Sequence, residues 1–301
     1  MRRFRFSASI AALLITVGLG LPSHLSAKEV ATPDAVVRQH VTNQGAWQAL
    51  ALRDTESAKL NVHRHILLVD TSASQVGVVR DAGIKLVTEL AGQLSATDHI
   101  QLLAMDTSCQ SLTNGFVTPI SAEFAHAVKR LGRRTPLGAT NLRKAMSLVL
   151  EQVDGSNIPT SLLWVGDGIS AMHSLKTNEI AELTKQLSSA QITVHSVVVG
   201  TQTNPQLPSA LANLTGGAVH RMPEGRAGTN SIATALQSSG IEIKTLISNG
   251  SSIDTQNSTA WLRSDRHAIL FGNGTSGRVN TIEAVLQDGR IVRWDNITPE
   301  Q

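Results

Sequence analysis

The sequence predicts a doubly wound α/β fold: a mostly parallel, Rossmann-like sheet with helices on both faces, followed by a small β appendage. Two observations predict it. Short apolar runs typical of buried strands alternate with segments whose apolar residues recur at helical spacing. After Gly240 the alternation stops, and strand-like runs follow one another between Gly, Asn, Ser and Asp turns. Strands separated by helices imply parallel pairing through right-handed crossovers, so both faces of the sheet should be covered.

The alternation also orders the elements. Strands are expected at 65–70, 99–106, 111–119, 161–167, 192–200 and 217–222, and helices at 78–94, 121–131, 141–153, 177–188, 209–214 and 229–237. The second and third strands are close enough to form an antiparallel hairpin, and Ser121 should cap its helix. If the sheet order reverses between the first and fourth strands, these two strands are neighbours.

The chain is expected to divide into four parts. Residues 28–59 contain a weakly helical pattern from Asp34 to Arg53, which predicts an N-terminal helical clasp. The α/β body should occupy residues 60–240. Residues 241–301 should form the β-rich segment, in which Asp288-Gly289 is a strong hairpin signal.

Residues 1–27 have the order of a secretory signal peptide. Three arginines precede an apolar run from Ala8 to Leu21, and small residues follow, which predicts cleavage after Ala27. The apolar run is short for a membrane span. We therefore expect export to the periplasm, the cell envelope or the medium, with no further membrane contact.

Composition excludes several functions. Removing the signal peptide leaves 23 basic against 23 acidic side chains, so a general polyanion binder is not expected. Aromatic residues make up only 3% of the chain and Tyr is absent, which argues against nucleic-acid binding by base stacking. The sequence contains no G-x-S-x-G, phosphate-loop lysine or H-E-x-x-H motif. We expect no enzymatic activity and no small-molecule substrate.

The first strand ends in V-D-T-S-A-S, where Asp70, Ser72 and Ser74 alternate along the chain. In an extended segment their side chains project to one side. One carboxylate and two hydroxyls are hard oxygen ligands, which suit Mg²⁺ or Mn²⁺ better than Zn²⁺. Taken alone the triplet is a weak signal, and a polar turn after a strand is the more common explanation.

Two further segments strengthen the metal hypothesis. Thr140 lies just ahead of a helix, and Asp167 ends the fourth strand. In an open α/β sheet, ligands bind beyond the carboxyl ends of the strands. Asp70, Thr140 and Asp167 should therefore reach the same edge, to which Asp106, at the end of the second strand, also belongs.

These motifs resemble a known family. D-T-S-A-S at 70–74, T-P-L-G-A-T-N-L at 135–142 and G-D-G at 166–168 are similar to the three parts of the metal-ion-dependent adhesion site of von Willebrand factor type A domains. The resemblance covers residues 60–240 in the family's order and implies a doubly wound sheet with one antiparallel edge strand. It further implies a metal site, whose ligands would be Asp70, Ser72, Ser74, Thr140 and Asp167.

Within that set, the resemblance makes Ser72 and Ser74 direct ligands. It makes Asp70 and Asp167 ligands directly or through water, and lets Thr140 join in one state of the domain. Thr135 opens the same loop and is the alternative threonine. Counting back from Ala145-Met146 in the following helix favours Thr140.

The resemblance implies protein–protein adhesion. Mg²⁺ keeps exchangeable coordination positions, so an acidic side chain of a protein ligand could bind to Mg²⁺, Mn²⁺ or Ca²⁺ at this site. Six basic residues bracket the threonine loop, either as solvated helix ends or as a rim that steers an acidic partner: Lys129, Arg130, Arg133, Arg134, Arg143 and Lys144. Two alternatives remain open. One is a structural scaffold subunit of an envelope complex without metal-mediated binding, and the other is an accessory subunit of an ATPase, which a signal peptide disfavours.

Overall fold

The computed structural model describes residues 34–42, 45–53, 60–153, 155, 158–170, 172, 175–222, 228–253, 260–274, 279–295 and 297. These residues all belong to one compact unit, Thr32–Gln301. The predicted signal peptide, residues 1–27, lies outside the described residues, so export remains a prediction. No helix in the described part of the chain is long and apolar enough to cross a membrane.

The elements follow in chain order. The strands are β1 (Asp34–Thr42), β2 (Gly45–Arg53), β3 (Leu60–Asn61), β4 (Arg64–Asp70), β5 (His99–Met105), β6 (Cys109–Ser111), β7 (Thr160–Gly166), β8 (Ile192–Val199), β9 (Val219–Met222), β10 (Ser238–Ser239), β11 (Ile241–Ser248), β12 (Ser251–Ile253), β13 (Ala260–Leu262), β14 (Ala268–Gly274), β15 (Thr281–Leu286) and β16 (Ile291–Asp295). The helices are α1 (Val78–Ala91), α2 (Ala122–Arg133), α3 (Leu142–Val153), α4 (Thr177–Ser189), α5 (Gln206–Thr215) and α6 (Thr229–Leu236).

The central sheet confirms the predicted fold class. Its strand order is β6-β5-β4-β7-β8-β9, and β6 alone runs antiparallel to its neighbour. The first and fourth predicted strands, β4 and β7, are adjacent, as a reversal of strand order requires. Apart from the third strand, the elements of this body begin and end within three residues of the predicted bounds.

Helices cover both faces of this sheet, which explains why its strands are predominantly apolar. Because side chains alternate across a strand, Leu67 packs with α1, α2 and α6 on one face, while Ile66 packs with α3, α4 and α5 on the other. Helix α2 begins where predicted, since the Ser121 Oγ accepts a hydrogen bond from the Phe124 N–H at 3.2 Å.

The third strand is shorter than predicted and lies earlier in the chain. The expected strand at 111–119 is replaced by β6, and within the rest of that segment Val117 forms only an isolated bridge with Ile100. Local hydrogen bonds hold a turn instead: Ser111 Oγ donates to the Thr113 carbonyl at 2.7 Å, and Thr113 Oγ1 donates to the Gly115 carbonyl at 2.8 Å. Such side-chain bonds compete with a strand ladder.

The predicted N-terminal helical clasp is wrong. Residues 34–53 form the antiparallel hairpin β1–β2, and β2 also pairs with β14. Val37, Leu50 and Leu52 are at most 1% exposed and pack with apolar residues of the C-terminal strands. Burial against a distant partner outweighs the weak helical periodicity of this segment.

The β-rich C-terminal segment is confirmed, and the N-terminal hairpin completes it. Strands β12-β11-β15-β16 form a second sheet, with β13 also paired to β11. The hairpin β15–β16 forms around Asp288-Gly289, where Gly289 has a φ of 84°. The two sheets share one apolar core, and Trp294 Nε1 donates to the Arg53 carbonyl at 3.2 Å. The C-terminal appendage is therefore a sandwich built from both ends of the chain.

Candidate metal site

The proposed ligands meet at the carboxyl edge of the central sheet. Asp70 is the last residue of β4, Asp167 directly follows β7, and Thr140 lies two residues before α3. Thr140 Oγ1 donates to Asp70 Oδ2 at 2.9 Å, and the Ser72 backbone N–H donates to Asp70 Oδ1 at 2.8 Å. Asp70, Ser72, Thr140 and Asp167 are all buried, with 2–4% of their surface exposed. The hypothesis that these loops converge agrees with this geometry.

A second set of hydrogen bonds joins the two ends of the site. Ser72 Oγ lies 3.2 Å from Ser74 Oγ. The buried amide of Gln75 donates to Asp167 Oδ2 at 2.9 Å and to Ser74 Oγ at 3.2 Å. Ser74 itself is exposed to solvent. All five proposed ligands thus belong to one hydrogen-bonded network that opens at Ser74.

Gln75 is the residue that the sequence analysis missed. Its position gave a weak signal, because it directly follows Ser74, the last proposed ligand of the first loop. Only the fold shows that its side chain turns inward and reaches Asp167, in the loop after β7. Gln75 therefore holds the first and third loops of the site together.

The two candidate threonines occupy different environments. Thr140 is buried and bonded to Asp70, whereas Thr135 is exposed. The geometry therefore favours Thr140, as counting back from the helix did.

The two glycines of G-D-G allow the chain to pack closely on either side of Asp167. A Cβ on Gly166 would lie 2.8 Å from the Cβ of Asp70, which is closer than real side chains pack. Gly168 has a φ of +78°, and a Cβ there would lie 2.2 Å from the Asn204 carbonyl oxygen. Between them, Asp167 is oriented by the Ile169 N–H, which donates to its Oδ1 at 2.8 Å.

Burial makes it unfavourable for Asp70 and Asp167 both to carry a negative charge without a cation between them. Burial raises the pKa of Asp70 to about 6, and the neighbouring Asp167 carboxylate adds to that rise. Hydrogen bonds from Ser72 and Thr140 act in the opposite direction. A divalent cation between these oxygens would compensate the desolvated negative charge.

The donor set fits a hard divalent cation. It consists of two carboxylates and three hydroxyls, without sulfur or imidazole, which suits Mg²⁺ or Mn²⁺ and leaves Ca²⁺ compatible. The part of the chain that the structure describes contains no group of three or more His, Cys, Asp or Glu residues placed to hold a metal. The candidate site therefore depends on its hydroxyl ligands, and metal binding remains a prediction.

The ion pair between Arg134 and Asp106 lies next to the first loop of the site. Arg134 donates to Asp106 Oδ2 at 2.5 Å and to Thr71 Oγ1 at 2.9 Å, and Thr71 lies between the first two residues of the proposed ligand set. Although burial acts against it, hydrogen bonds from Ser108 and Arg134 hold the pKa of Asp106 below its ordinary value. Asp106 therefore acts through Arg134 and Thr71 and is not itself part of the network of proposed ligands.

The six basic residues predicted as a rim divide into two groups. Arg134 is committed to Asp106, Arg143 pairs with Glu179 at 2.5 Å, and Arg130 donates to the Leu112 carbonyl. Arg133 and Lys144 are exposed beside the threonine loop, and Lys129 is exposed one turn earlier in α2. Three of the six residues are thus bonded within the protein, and electrostatic steering of an acidic partner would depend chiefly on exposed Arg133 and Lys144.

A doubly wound sheet whose carboxyl edge gathers these three oxygen-bearing loops defines the von Willebrand factor type A class. The family model described as von Willebrand factor type A domain matches residues 64–221, just over half of the 301 residues. The chain belongs to this family. No curated protein matches the sequence at a significant level.

Three solved structures are similar to this chain. A von Willebrand factor type A protein from Catenulispora acidiphila is similar over 90% of this chain and 74% of its own, at 10% identity and a TM-score of 0.59. The ArnB paralog VWA2 from Sulfolobus acidocaldarius matches 89% of this chain and 77% of its own, at 15% identity and a TM-score of 0.49. An aerotolerance-related membrane protein from Bacteroides fragilis matches 57% of this chain and 96% of its own, at 16% identity and a TM-score of 0.45. The first of these supports the fold beyond the type A domain itself.

Proposed function

We propose that this protein is an exported, non-enzymatic binding module that engages an acidic side chain of a protein ligand through a divalent cation. The observation that carries the proposal is the single hydrogen-bonded network of Asp70, Ser72, Ser74, Thr140 and Asp167 at the carboxyl edge of the sheet. Type A domains generally mediate protein–protein interactions, which supports the same reading.

The charges of the site explain why an anion would be recognised. Serine and threonine hydroxyls are uncharged, so no proposed ligand other than Asp70 and Asp167 would offset the charge of the cation. When bound, the cation would supply a Lewis-acidic position for a further oxygen ligand. Ser74 is the exposed member of the set, and we infer that the partner carboxylate approaches from its side. Exposed Arg133 and Lys144 would favour the encounter with an acidic partner.

A scaffold function is the second candidate, and one observation favours it. The outer face of strand β14 exposes Ile269 and Phe271, each 57% exposed, on the sandwich rather than on the type A domain. In that reading partner binding would depend on the sandwich and would not require metal.

The test compares metal binding with partner capture. Calorimetric titration of EDTA-treated full-length protein with Mg²⁺ should show binding in the wild type and not in Asp70→Ala. Asp288→Ala removes an exposed carboxylate from the β15–β16 turn and serves as the matched control. Because binding to the native state alone stabilises it, Mg²⁺ at about one hundred times its Kd should add about 2.7 kcal/mol to the free energy of unfolding.

The same variants then go into pull-downs from envelope extract. Capture that needs Mg²⁺ and Asp70 supports the adhesion mechanism. Capture that EDTA and Asp70→Ala leave unchanged, but that Ile269→Ser with Phe271→Ser abolishes, contradicts it and favours the scaffold.

A further inference from the structure

Large apolar side chains are exposed around the candidate metal site. Ten large hydrophobic residues are prominently exposed in the described part of the chain, and half of them lie on the three loops that carry the proposed ligands or at the helix start that directly follows. These five residues, called here the apolar rim, are Val76, Val78, Leu137, Ile169 and Met172. Singly exposed hydrophobic residues are ordinary, but a group of them around a polar site is typical of an interaction surface.

Backbone hydrogen bonds hold the first two loops of the rim together. The Leu137 N–H donates to the Thr71 carbonyl at 3.2 Å, and the Ala73 N–H donates to the Gly138 carbonyl at 2.9 Å. Leu137 is thereby fixed beside the D-T-S-A-S loop, and its side chain is 65% exposed.

The third loop is fixed in the same way. The Met172 N–H donates to the Thr140 carbonyl at 3.3 Å, and the Ile169 N–H donates to a carboxylate oxygen of Asp167. Two rim residues are therefore bonded directly to proposed metal ligands. Their exposure follows from how the site is built and not from fraying of a chain end.

Charge complements this apolar surface. The loops at 71–77, 134–141 and 168–176 contain no Asp or Glu, and they end in or adjoin basic residues such as Lys176 and Arg133. Among the described carboxylates at this edge, Asp70 and Asp167 are buried, Asp106 and Glu179 are paired with arginine, and Asp81 is exposed in the first turn of α1. An acidic segment that approaches the three loops therefore meets basic side chains, and the exposed carboxylate near it is that of Asp81 on α1.

We propose that the apolar rim binds the residues on either side of the partner's acidic side chain, so that the preferred ligand is a protein segment with one Asp or Glu flanked by large apolar residues. This inference rests on the proposed function, because the acidic residue is placed by the metal. The rim adds the selectivity that a single carboxylate lacks. A membrane surface is the less favoured occupant, since none of the five rim residues is aromatic.

The experiment uses short Gly-Ser peptides with one central Glu as probes. In one peptide Leu flanks the Glu on both sides, and in the other Ser does; their affinities are measured by fluorescence polarisation with full-length protein in Mg²⁺. Burial of two or three rim side chains should favour the Leu-flanked peptide by about tenfold or more. The combined variant Val78→Ser with Leu137→Ser should reduce that preference to near one and leave calorimetric Mg²⁺ binding unchanged. Ile291→Ser, an equally exposed position on β16, should leave both unchanged.

The outcomes separate the two proposals. Mg²⁺-dependent binding of both peptides with equal affinity overturns the rim inference and leaves the metal function standing. Absence of calorimetric Mg²⁺ binding contradicts the proposed function itself. Failure of the Mg²⁺-loaded protein to bind either peptide overturns the rim inference. A membrane would be identified as the occupant by a different result. The wild type would cosediment with phosphatidylglycerol vesicles, the variant Val78→Ser with Leu137→Ser would not, and neither peptide would be preferred. That result also overturns the rim inference.

Discussion

Replacing Thr140 by Val tests the centre of the candidate site with little change in volume. The hydroxyl of Thr140 donates to Asp70 Oδ2 at 2.9 Å, and the residue is only 2% exposed, so water cannot replace the lost bond. Because the pKa of Asp70 is about 6, its carboxylate is largely ionised at pH 7.5. A hydrogen bond to a charged group contributes about 1.5–3 kcal/mol, and we expect Thr140→Val to lower the free energy of unfolding by that amount without metal.

The same variant also tests whether Thr140 takes part in metal binding. We expect a smaller Mg²⁺-induced rise in Tm than in the wild type, because the oxygen that the resemblance assigns to one state of the site is gone. Urea unfolding at pH 7.5 measures the first effect, and thermal unfolding in EDTA and in Mg²⁺ measures the second. Both use full-length protein.

Thr135→Val is the matched control. Thr135 lies in the same loop but is exposed, so its replacement should change the unfolding free energy by less than about 0.5 kcal/mol. Equal effects of the two variants would refute the structural distinction between the threonines. Loss of the Mg²⁺ response in Thr135→Val alone would show that Thr135, and not Thr140, is the metal ligand.

Three further predictions concern other parts of the chain. Arg263 is 2% exposed and donates to the Gly216 and Ala235 carbonyls and to Asp265. Arg263→Met should therefore lower the free energy of unfolding in urea by about 3–5 kcal/mol. Arg290→Ala, which breaks an exposed ion pair, should lower it by less than about 1 kcal/mol. Burial lowers the pKa of His220 to about 4. As pH drops from about 6.5 towards 4, the unfolded state therefore binds a proton that the folded state does not. The free energy of unfolding should fall over this range by up to about 3 kcal/mol. Asp70 acts in the opposite sense over much of this range, so the measurement is the difference between wild type and His220→Leu at pH 7.5 and 4.5; identical pH dependence would contradict it. N-terminal sequencing of envelope or secreted protein should begin at Lys28, and an intact Met1 on cytosolic protein would contradict export.

The α/β body could be predicted from sequence because its signals are local. Strand β4 is buried on both faces, so residues 66–69 form an uninterrupted apolar run, and the helices beside it keep their apolar spacing. The end of a buried strand then locates Asp70 and Asp167 without further information, since parallel strands end at the same edge. The remaining uncertainty, between Thr135 and Thr140, depended on burial, which sequence spacing alone does not give.

The hairpin at 34–53 could not be predicted in the same way. Its second strand pairs with β14, more than two hundred residues further along the chain, and its inward residues are buried only in that pairing. Gln75 raises the same difficulty at the site, because its partner Asp167 lies in a loop more than ninety residues further along the chain. In both cases the deciding contact is distant in sequence, and local propensity is too weak to indicate it.

The chain's topology leaves the proposed binding edge accessible. The α/β body is joined to the sandwich through β3 and β10, which pair with each other, and the Val62 N–H donates to the Gln237 carbonyl at 3.1 Å. Both connections lie where β4 begins, whereas Asp70 lies at its other end. A seven-residue strand spans about 20 Å, so the sandwich and the site occupy opposite edges of the sheet. Under the proposed function, the carboxyl edge would bind the protein ligand while the sandwich, at the other end of the strands, would stay free to contact a second structure.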